Sequence, residues 1–483
     1  MVPFNPVLLA IAILATSCTA APTSNATMAI SAATGSADAN SVADSSLVAT
    51  AAALSSVTSS AASPASEAPS VTASAPSEVQ TVTPASTDPN APIFLVNDTA
   101  VDPQPIRGSL GATILGPENV PLEFQNPDFL APPTTDTGDV MNAKWPMSLS
   151  HNRLQTGGWA RQQNIEVMPI ATAMAGVNMR LEAGAVRELH WHSTAEWAYV
   201  LKGTTQITAL DANGRNFLAN VKAGDLWYFP PGIPHSLQAT GDLAEGTEFL
   251  LVFDDGAFSE DATFLLTDWM SHIPMEALAK NFQTDISAFA HIPSHELYIF
   301  PTAVPPDDAQ AVSDPQGQSP TSFVFPLSQM AATPLSGGSV KIVDSTIFNI
   351  SQTIAVADVT VEPGAIRELH WHPTQDEWTF YLSGQARVSL FAAQSNSRTF
   401  DYQAGDVGYV PASFGHYVEN VGNDTLHFLE IFKTGKYRFQ DISLSQWLAL
   451  TPPALVKAHL GFDDATIAHL NKTKQVVVGP SSS

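Results

Sequence analysis

The stretch GAVRELHWHSTAEWAYV, Gly184 to Val200, comes back as GAIRELHWHPTQDEWTFYL, Gly364 to Leu382. Laying one on the other sets His190 on His370, His192 on His372 and Glu196 on Glu377, with one extra residue before the second glutamate. The match continues downstream, where AGDLWYFPPGIPHSLQ lies on AGDVGYVPASFGHYVEN and brings His235 opposite His416. The chain is therefore a duplication, and the residues it repeats are the ones to explain.

Successive side chains of an extended strand alternate faces, so the two histidines of His-x-His share a face while Trp191 and Trp371 turn to the other. On that opposite face the tryptophans are most simply buried aromatics. A carboxylate follows a few residues on, and a later histidine follows a proline-containing turn. If the strands are neighbours, each copy assembles three imidazoles and one carboxylate: His190, His192, Glu196 and His235 in the first, His370, His372, Glu377 and His416 in the second. That donor set suits a divalent first-row metal with positions left open for water, substrate or dioxygen.

Between these markers run short segments rich in Val, Ile, Phe, Tyr and Thr, broken by Gly, Pro, Asn and Asp. This spacing predicts an all-β fold with one antiparallel sandwich or barrel per copy, closed as a jelly roll. Each copy ends in a matched piece, LTDWMSHIPMEALAKNF from Leu266 and LSQWLALTPPALVKAHL from Leu444, whose early proline and apolar pattern predict flanking helices.

The 483 residues carry 46 acidic and 20 basic side chains, a formal charge of -26. So acidic a chain is a poor partner for nucleic acid. Residues 1–20, with the apolar run LLAIAILATSCTA, read as a secretory signal too short to span a bilayer comfortably. The single cysteine, Cys18, lies inside it. Residues 21–90 are dominated by Ala, Ser, Thr, Pro and Val, a composition that cannot bury enough apolar surface to fold, and they read as a disordered, O-glycosylated stalk. Sequons at Asn25, Asn97, Asn349, Asn423 and Asn471 fit a secreted glycoprotein, although Asn349 falls in a strand-like run. The expected domains are 91–300 and 301–474, with a polar tail over 475–483.

The first copy fits the cupin motif Gly-x5-His-x-His-x3-Glu-x6-Gly and the second its variant with one more residue before the glutamate. GDLWYFPPGIPH and GDVGYVPASFGH resemble the second cupin motif, with Ser413 where that motif prefers glycine. Two tandem cupin barrels are thus implied. More narrowly, RELHWH twice, DLWYFP, FLLVFDDGAFSE, DVGYVP and GHYVEN make the body from Ala91 to Lys474 similar to the bicupin oxalate decarboxylases. That resemblance implies oxalate as substrate, formate and carbon dioxide as products, one Mn2+ per cupin and two per chain, and dioxygen as redox co-catalyst. It further implies a homohexamer, while the signal-like start places the protein outside the cell or at its wall, and no membrane or nucleic-acid partner is expected.

By the same resemblance Arg187 steadies the bound anion, a task suited to a guanidinium. In a regular strand, however, Arg187 would face away from His190. Arg367 holds the equivalent place in the second copy. Ser259-Glu260-Asp261-Ala262-Thr263 resembles the mobile lid of these enzymes, making Glu260 the proton donor, and the second copy has no acid at the matching place. Glu430, where the first copy has Leu251, is implied to lie near the second metal with a partner of its own. Trp191 and Trp371 correspond to a pair implicated in electron transfer between subunits. Three alternatives stay open: an oxalate oxidase releasing hydrogen peroxide, a storage or sugar-binding bicupin without chemistry, and a cupin dioxygenase using iron.

Overall fold

The computed structural model describes residues 102–436 and 441–480. The expected signal, the stalk, and Cys18, Asn25 and Asn97 lie outside the described residues.

Each copy is a pair of packed antiparallel sheets. In the first, one sheet runs in the order Asn216–Lys222, Thr204–Leu210, His235–Ala239 and Val186–Trp191. The short strands Phe264–Leu265 and Ile299–Phe300 both pair with the free side of Val186–Trp191. The facing sheet has seven strands, with Glu196–Lys202 and Thr247–Phe253 near its centre. The second copy repeats both sheets, with Gly415–Asn420 and Ile366–Trp371 side by side and Glu377–Ser383 opposite. Alternation drives this arrangement, since each strand sends one face into a core of Val, Leu, Phe and Trp between the sheets. The expected helices are present as Leu266–Ser271 and Met275–Phe282 in one copy, and Leu444–Ala449 and Pro453–Leu460 in the other. No helix among the described residues is long and apolar enough to cross a membrane.

The domain limits are less tidy than the sequence suggests, because the copies exchange edge strands. Lys144–Pro146, inside the expected first domain, pairs with Asp406–Val410 of the second cupin, and Val324–Phe325, inside the expected second, pairs with Leu226–Phe229 of the first. Asp128 also reaches across, accepting from Arg107 at 3.3 Å and from Nε of Arg387 at 3.1 Å with all three side chains buried. At the shared core, a Cβ on Gly176 would lie 2.3 Å from the Trp378 ring, so only glycine allows that approach. The Trp378 indole N–H in turn donates to Gln163 of the first copy at 2.7 Å.

Two expectations need correction. Val477–Val478, placed in the tail, is a strand paired with Ile366–Trp371, so the second cupin extends past residue 474. Asn349 is not in a strand but in an exposed turn, because its apolar neighbours belong to the loop joining Gly338–Val343 to Ala355–Val361.

Candidate metal centres

Both predicted ligand sets come together. The ligand atoms of His190, His192, Glu196 and His235 lie within 4.8 Å of one another, as do those of His370, His372, Glu377 and His416, and all eight residues are buried. The adjacency comes from strand pairing: His235 is directly opposite His190, and His416 opposite His370. The turns that deliver His235 and His416 are matched too. Gly232 N–H donates to the His192 carbonyl at 2.9 Å and Ser413 N–H to the His372 carbonyl at 2.7 Å. Ser413 takes the left-handed conformation, φ 68°, that glycine adopts in the first copy at φ 77°, so the departure from the motif is absorbed as local backbone strain.

The ring nitrogens are pre-assigned. His190, His192 and His235 each donate Nδ1–H to a backbone carbonyl, those of Glu188, Thr194 and Ile233, at 2.6, 2.8 and 2.8 Å. His370 and His416 do the same toward Glu368 and Phe414. A carbonyl can only accept, so in the neutral, metal-binding form of these rings the lone pair is on Nε2. Burial, reinforced by Arg187 and the neighbouring imidazoles, holds His190 well below the usual histidine range, and burial followed by Arg367 does so for His370. Burial would push Glu196 up, but His235 and His192 hold it well below the carboxylate range; Glu377 is held down likewise by His416 and His372.

Lone pairs therefore face lone pairs. His192 Nε2 lies 3.1 Å from Glu196 Oε2 and His235 Nε2 is 3.4 Å from it, and at the second site His416 Nε2 lies 3.3 Å from Glu377 Oε2. Such spacing is that of neighbouring donors turned toward one shared divalent ion. Nε2 of His235, His370 and His416 and Oε2 of Glu377 have no hydrogen-bond partner. A divalent cation resolves all of these oppositions at once, so the residues fit one metal per cupin. Two divalent ions per chain are expected by elemental analysis of purified protein, with His235→Ala and His416→Ala each lowering the count by one. Well under one ion per chain in the unmutated protein would instead favour the storage-like alternative.

Arg187 does reach this cluster, through a feature that alternation alone does not foresee. His235 and Leu237, two residues apart, pair with His190 and Arg187, three apart, so Val186–Trp191 carries a β-bulge at Glu188 and Leu189. The extra residue turns Leu189 outward, 52% exposed, and re-aims Arg187 into the barrel. Arg367 is re-aimed by the same shift opposite His416 and Val418.

From here the copies diverge. In the first, Arg187 Nη2 lies 3.6 Å from Glu260 Oε2, while its Nη1 is buried without a partner. Glu260 is only 7% exposed: its amide donates to Gln162 Oε1 at 2.9 Å, and the Tyr298 hydroxyl donates to its Oε2 in a short bond. Burial, with the Glu260 charge beside it, pushes the Tyr298 phenol well above its ordinary value. Phe258 stacks on Phe253 and meets His192 edge-on, so the segment that carries Glu260 packs against the ligand cluster.

In the second copy the Arg367 guanidinium is taken up by carboxylates, at 2.9 Å from Glu430 and 2.6 Å from Asp441. Lys474 sits against Asp441 as well, with burial and the nearby Arg367 bringing its ammonium down to about 8. Glu430 therefore has the partner the sequence called for. An acid does reach this region, from Asp441; the residue matched to Glu260 by strand register, Arg438, lies outside the described residues.

Trp191 and Trp371 are half-buried rather than buried. Each lies on the outer face against an exposed partner, Trp191 stacked on Phe264 and edge-on to Trp269, Trp371 edge-on to Trp447.

Sequence reasoning missed Tyr298 and Gln162, because both lie far from any motif. The repeat held a signal for them. Tyr298 and Val476 occupy matched positions, each donating its backbone N–H to the glutamate of its own Arg-Glu-Leu-His. Gln162 likewise matches Ile342 in the pairing of the edge hairpins. Residues that hydrogen-bond to Glu260 in one copy are thus replaced by apolar ones in the other.

The cupin family pattern matches residues 150–288 and 331–468. Oxalate decarboxylase OxdC of Bacillus subtilis (strain 168) is 52% identical over 379 residues, 78% of this chain and 97% of that protein. A probable oxalate decarboxylase of Arthroderma benhamiae is 40% identical over 380 residues, 78% of this chain and 93% of its own length. A solved structure of the Bacillus subtilis enzyme, studied for its Mn(II) centres, superposes with a TM-score of 0.75 at 51% identity, covering 79% of this chain and 100% of that one. Relatedness of this degree across both halves is family membership, and the chain belongs to the bicupin oxalate decarboxylases of the cupin family.

Proposed function

We propose that the protein is a secreted, manganese-dependent oxalate decarboxylase, turning oxalate and one proton into formate and carbon dioxide with dioxygen as co-catalyst, and that the first cupin does the chemistry. The observation that carries this reading is Glu260 folded over the first ligand cluster against Arg187, with no such arrangement around Arg367 among the described residues.

Oxalate resists acid-base cleavage, since heterolytic loss of carbon dioxide leaves a formyl-type carbanion with no electron sink. Manganese, when bound by His190, His192, Glu196 and His235, supplies the one-electron chemistry that weakens the carbon-carbon bond.

The chain's own residues handle the anion and the proton. Arg187 offers the buried, unpartnered Nη1 to a substrate carboxylate, a charge-assisted bond made without disturbing another pair. At the second site both acids beside Arg367 oppose a dianion, so that site holds metal without turning over substrate. Tyr298 and Arg187 both engage Oε2 of Glu260, which leaves Oε1 to carry the proton to carbon once carbon dioxide has gone. Phe258 over His192 keeps bulk water from that proton transfer. The raised Tyr298 phenol stays a donor throughout and does not compete as the acid.

Secretion rests on residues 1–20, and N-glycans are assigned to Asn349 and Asn423, both exposed, and to Asn471. A homohexamer and electron passage through Trp191 and Trp371 belong to the same reading. The decisive assay is the product ratio from oxalate at mildly acidic pH, using Mn-loaded protein. Formate in large excess over hydrogen peroxide supports the decarboxylase; peroxide as main product replaces it with an oxidase, and neither product removes oxalate as substrate.

A further inference from the structure

We infer that Arg153 is a positioning residue for the lid: stacked on Tyr298 and paired with Asp261 and Glu296, it fixes the phenol that grips Glu260 and thereby sets how much oxalate leaves as formate. The inference rests on Glu260 being the proton donor.

Arg153 lies on the edge strand Arg153–Gln155, 108 residues before Asp261 in sequence. Its guanidinium carbon sits 3.6 Å from the centre of the Tyr298 ring, and that of Arg187 sits 4.1 Å from the same centre. Arg153 and Arg187 thus both grip the phenol, and both cations favour its electron-rich ring. Arg153 Nη1 reaches Asp261 at 3.2 Å and Nη2 reaches Glu296 at 2.8 Å. Arg153, Gln162, Asn164, Glu260, Asp261 and Tyr298 line one cavity of about 560 Å3, so the clamp and the Glu260 segment share a wall.

The strengths of these contacts differ. Asp261 is largely exposed, and an ion pair in water contributes little by itself. Glu296 and the stack on Tyr298 hold the guanidinium where it is, and Asp261 then ties the lid to an already fixed group. Comparison within the chain supports a lid-specific task. By strand register Arg153 matches Thr333, just as Tyr298 matches Val476 and Gln162 matches Ile342. All three lid-gripping side chains are confined to the copy that carries Glu260. An arginine serving only the hairpin has no reason to change together with them.

The test uses the Mn-loaded full chain with Arg153→Gln, Arg153→Lys and Asp261→Asn. Two readouts are compared: the formate-to-peroxide ratio from oxalate, and hydrogen exchange of the amides over residues 258–263 without oxalate. Arg153→Gln is expected to raise the peroxide share several-fold and to speed amide exchange roughly tenfold, the factor equal to about 1.4 kcal/mol. Arg153→Lys recovers part of both effects, since an ammonium can meet a carboxylate but cannot stack on the ring. Asp261→Asn gives the smaller shift because Glu296 still anchors the guanidinium. Unchanged exchange and an unchanged ratio in Arg153→Gln overturn the inference, as does a changed ratio with unchanged exchange, which places the effect away from the lid. Should the unmutated protein release no formate, the decarboxylase reading fails, and the exchange measurement alone still decides whether Arg153 holds the lid.

Discussion

Glu260→Ala is expected to slow formate production by about 10^2- to 10^4-fold, the span typical of a positioned general acid, while hydrogen peroxide rises. Glu260 lies outside both ligand clusters, and its Oε2 contacts are the Tyr298 hydroxyl and Arg187. Removing it should leave metal content unchanged, so carbon dioxide can still leave the substrate. What is lost is the proton delivered to the carbon that remains, which then goes on to a second oxidation and yields peroxide. Removal also frees Arg187 from its anion, so KM for oxalate should stay level or fall while kcat for formate drops. Glu260→Gln refines the test by keeping the shape of the lid and an acceptor for Tyr298, yet carrying no transferable proton. A product-resolved steady-state assay on both variants decides the matter; an unchanged ratio would remove Glu260 from the reaction.

The ligand sets were legible in the sequence because their geometry is local and simple. A strand puts His190 and His192 on one face, and duplication marked His235 and His416 as their companions. The aim of Arg187 was not legible, because it depends on a β-bulge. Glu188 and Leu189, at the bulge, form part of an ordinary strand sequence with no glycine to announce it, and only the pairing with His235 and Leu237 exposes the extra residue. The exchanged strands Lys144–Pro146 and Val324–Phe325 were invisible for another reason. Two or three residues carry no periodicity, and their pairing is set by partners far along the chain. Tyr298 combines both difficulties, since it acts from a left-handed position, φ 57°, beside a two-residue strand. What could be read was the difference between copies, and Tyr298 against Val476 is the clearest instance.

The other large effect separates two arginines that the sequence presents as equivalents. Arg187→Ala is expected to lower kcat/KM for oxalate by roughly 10^2- to 10^3-fold, the loss of one or two charge-assisted bonds, with little cost to folding. Its Nη1 has no protein partner to leave behind, and Glu260 keeps its bond from Tyr298. Arg367→Ala should behave in the opposite way. It strands Glu430, which is fully buried, and weakens the hold on Asp441, leaving uncompensated negative charge inside the second barrel. Breaking a buried pair by removing one partner costs about 3–5 kcal/mol, so the thermal midpoint should fall clearly while the folded fraction turns over oxalate with the KM of the unmutated protein. Lys474, already against Asp441, tempers the loss but cannot replace the bond to Glu430. Thermal unfolding and steady-state kinetics on the two variants test this directly. If Arg367→Ala instead cuts kcat/KM as deeply as Arg187→Ala, with both metals retained and the midpoint unmoved, the second cupin binds substrate and the division of labour between the copies is wrong. The expected contrast follows from how each guanidinium is occupied: one has a buried hydrogen-bonding group left for a ligand, while the other is held by two carboxylates of its own chain.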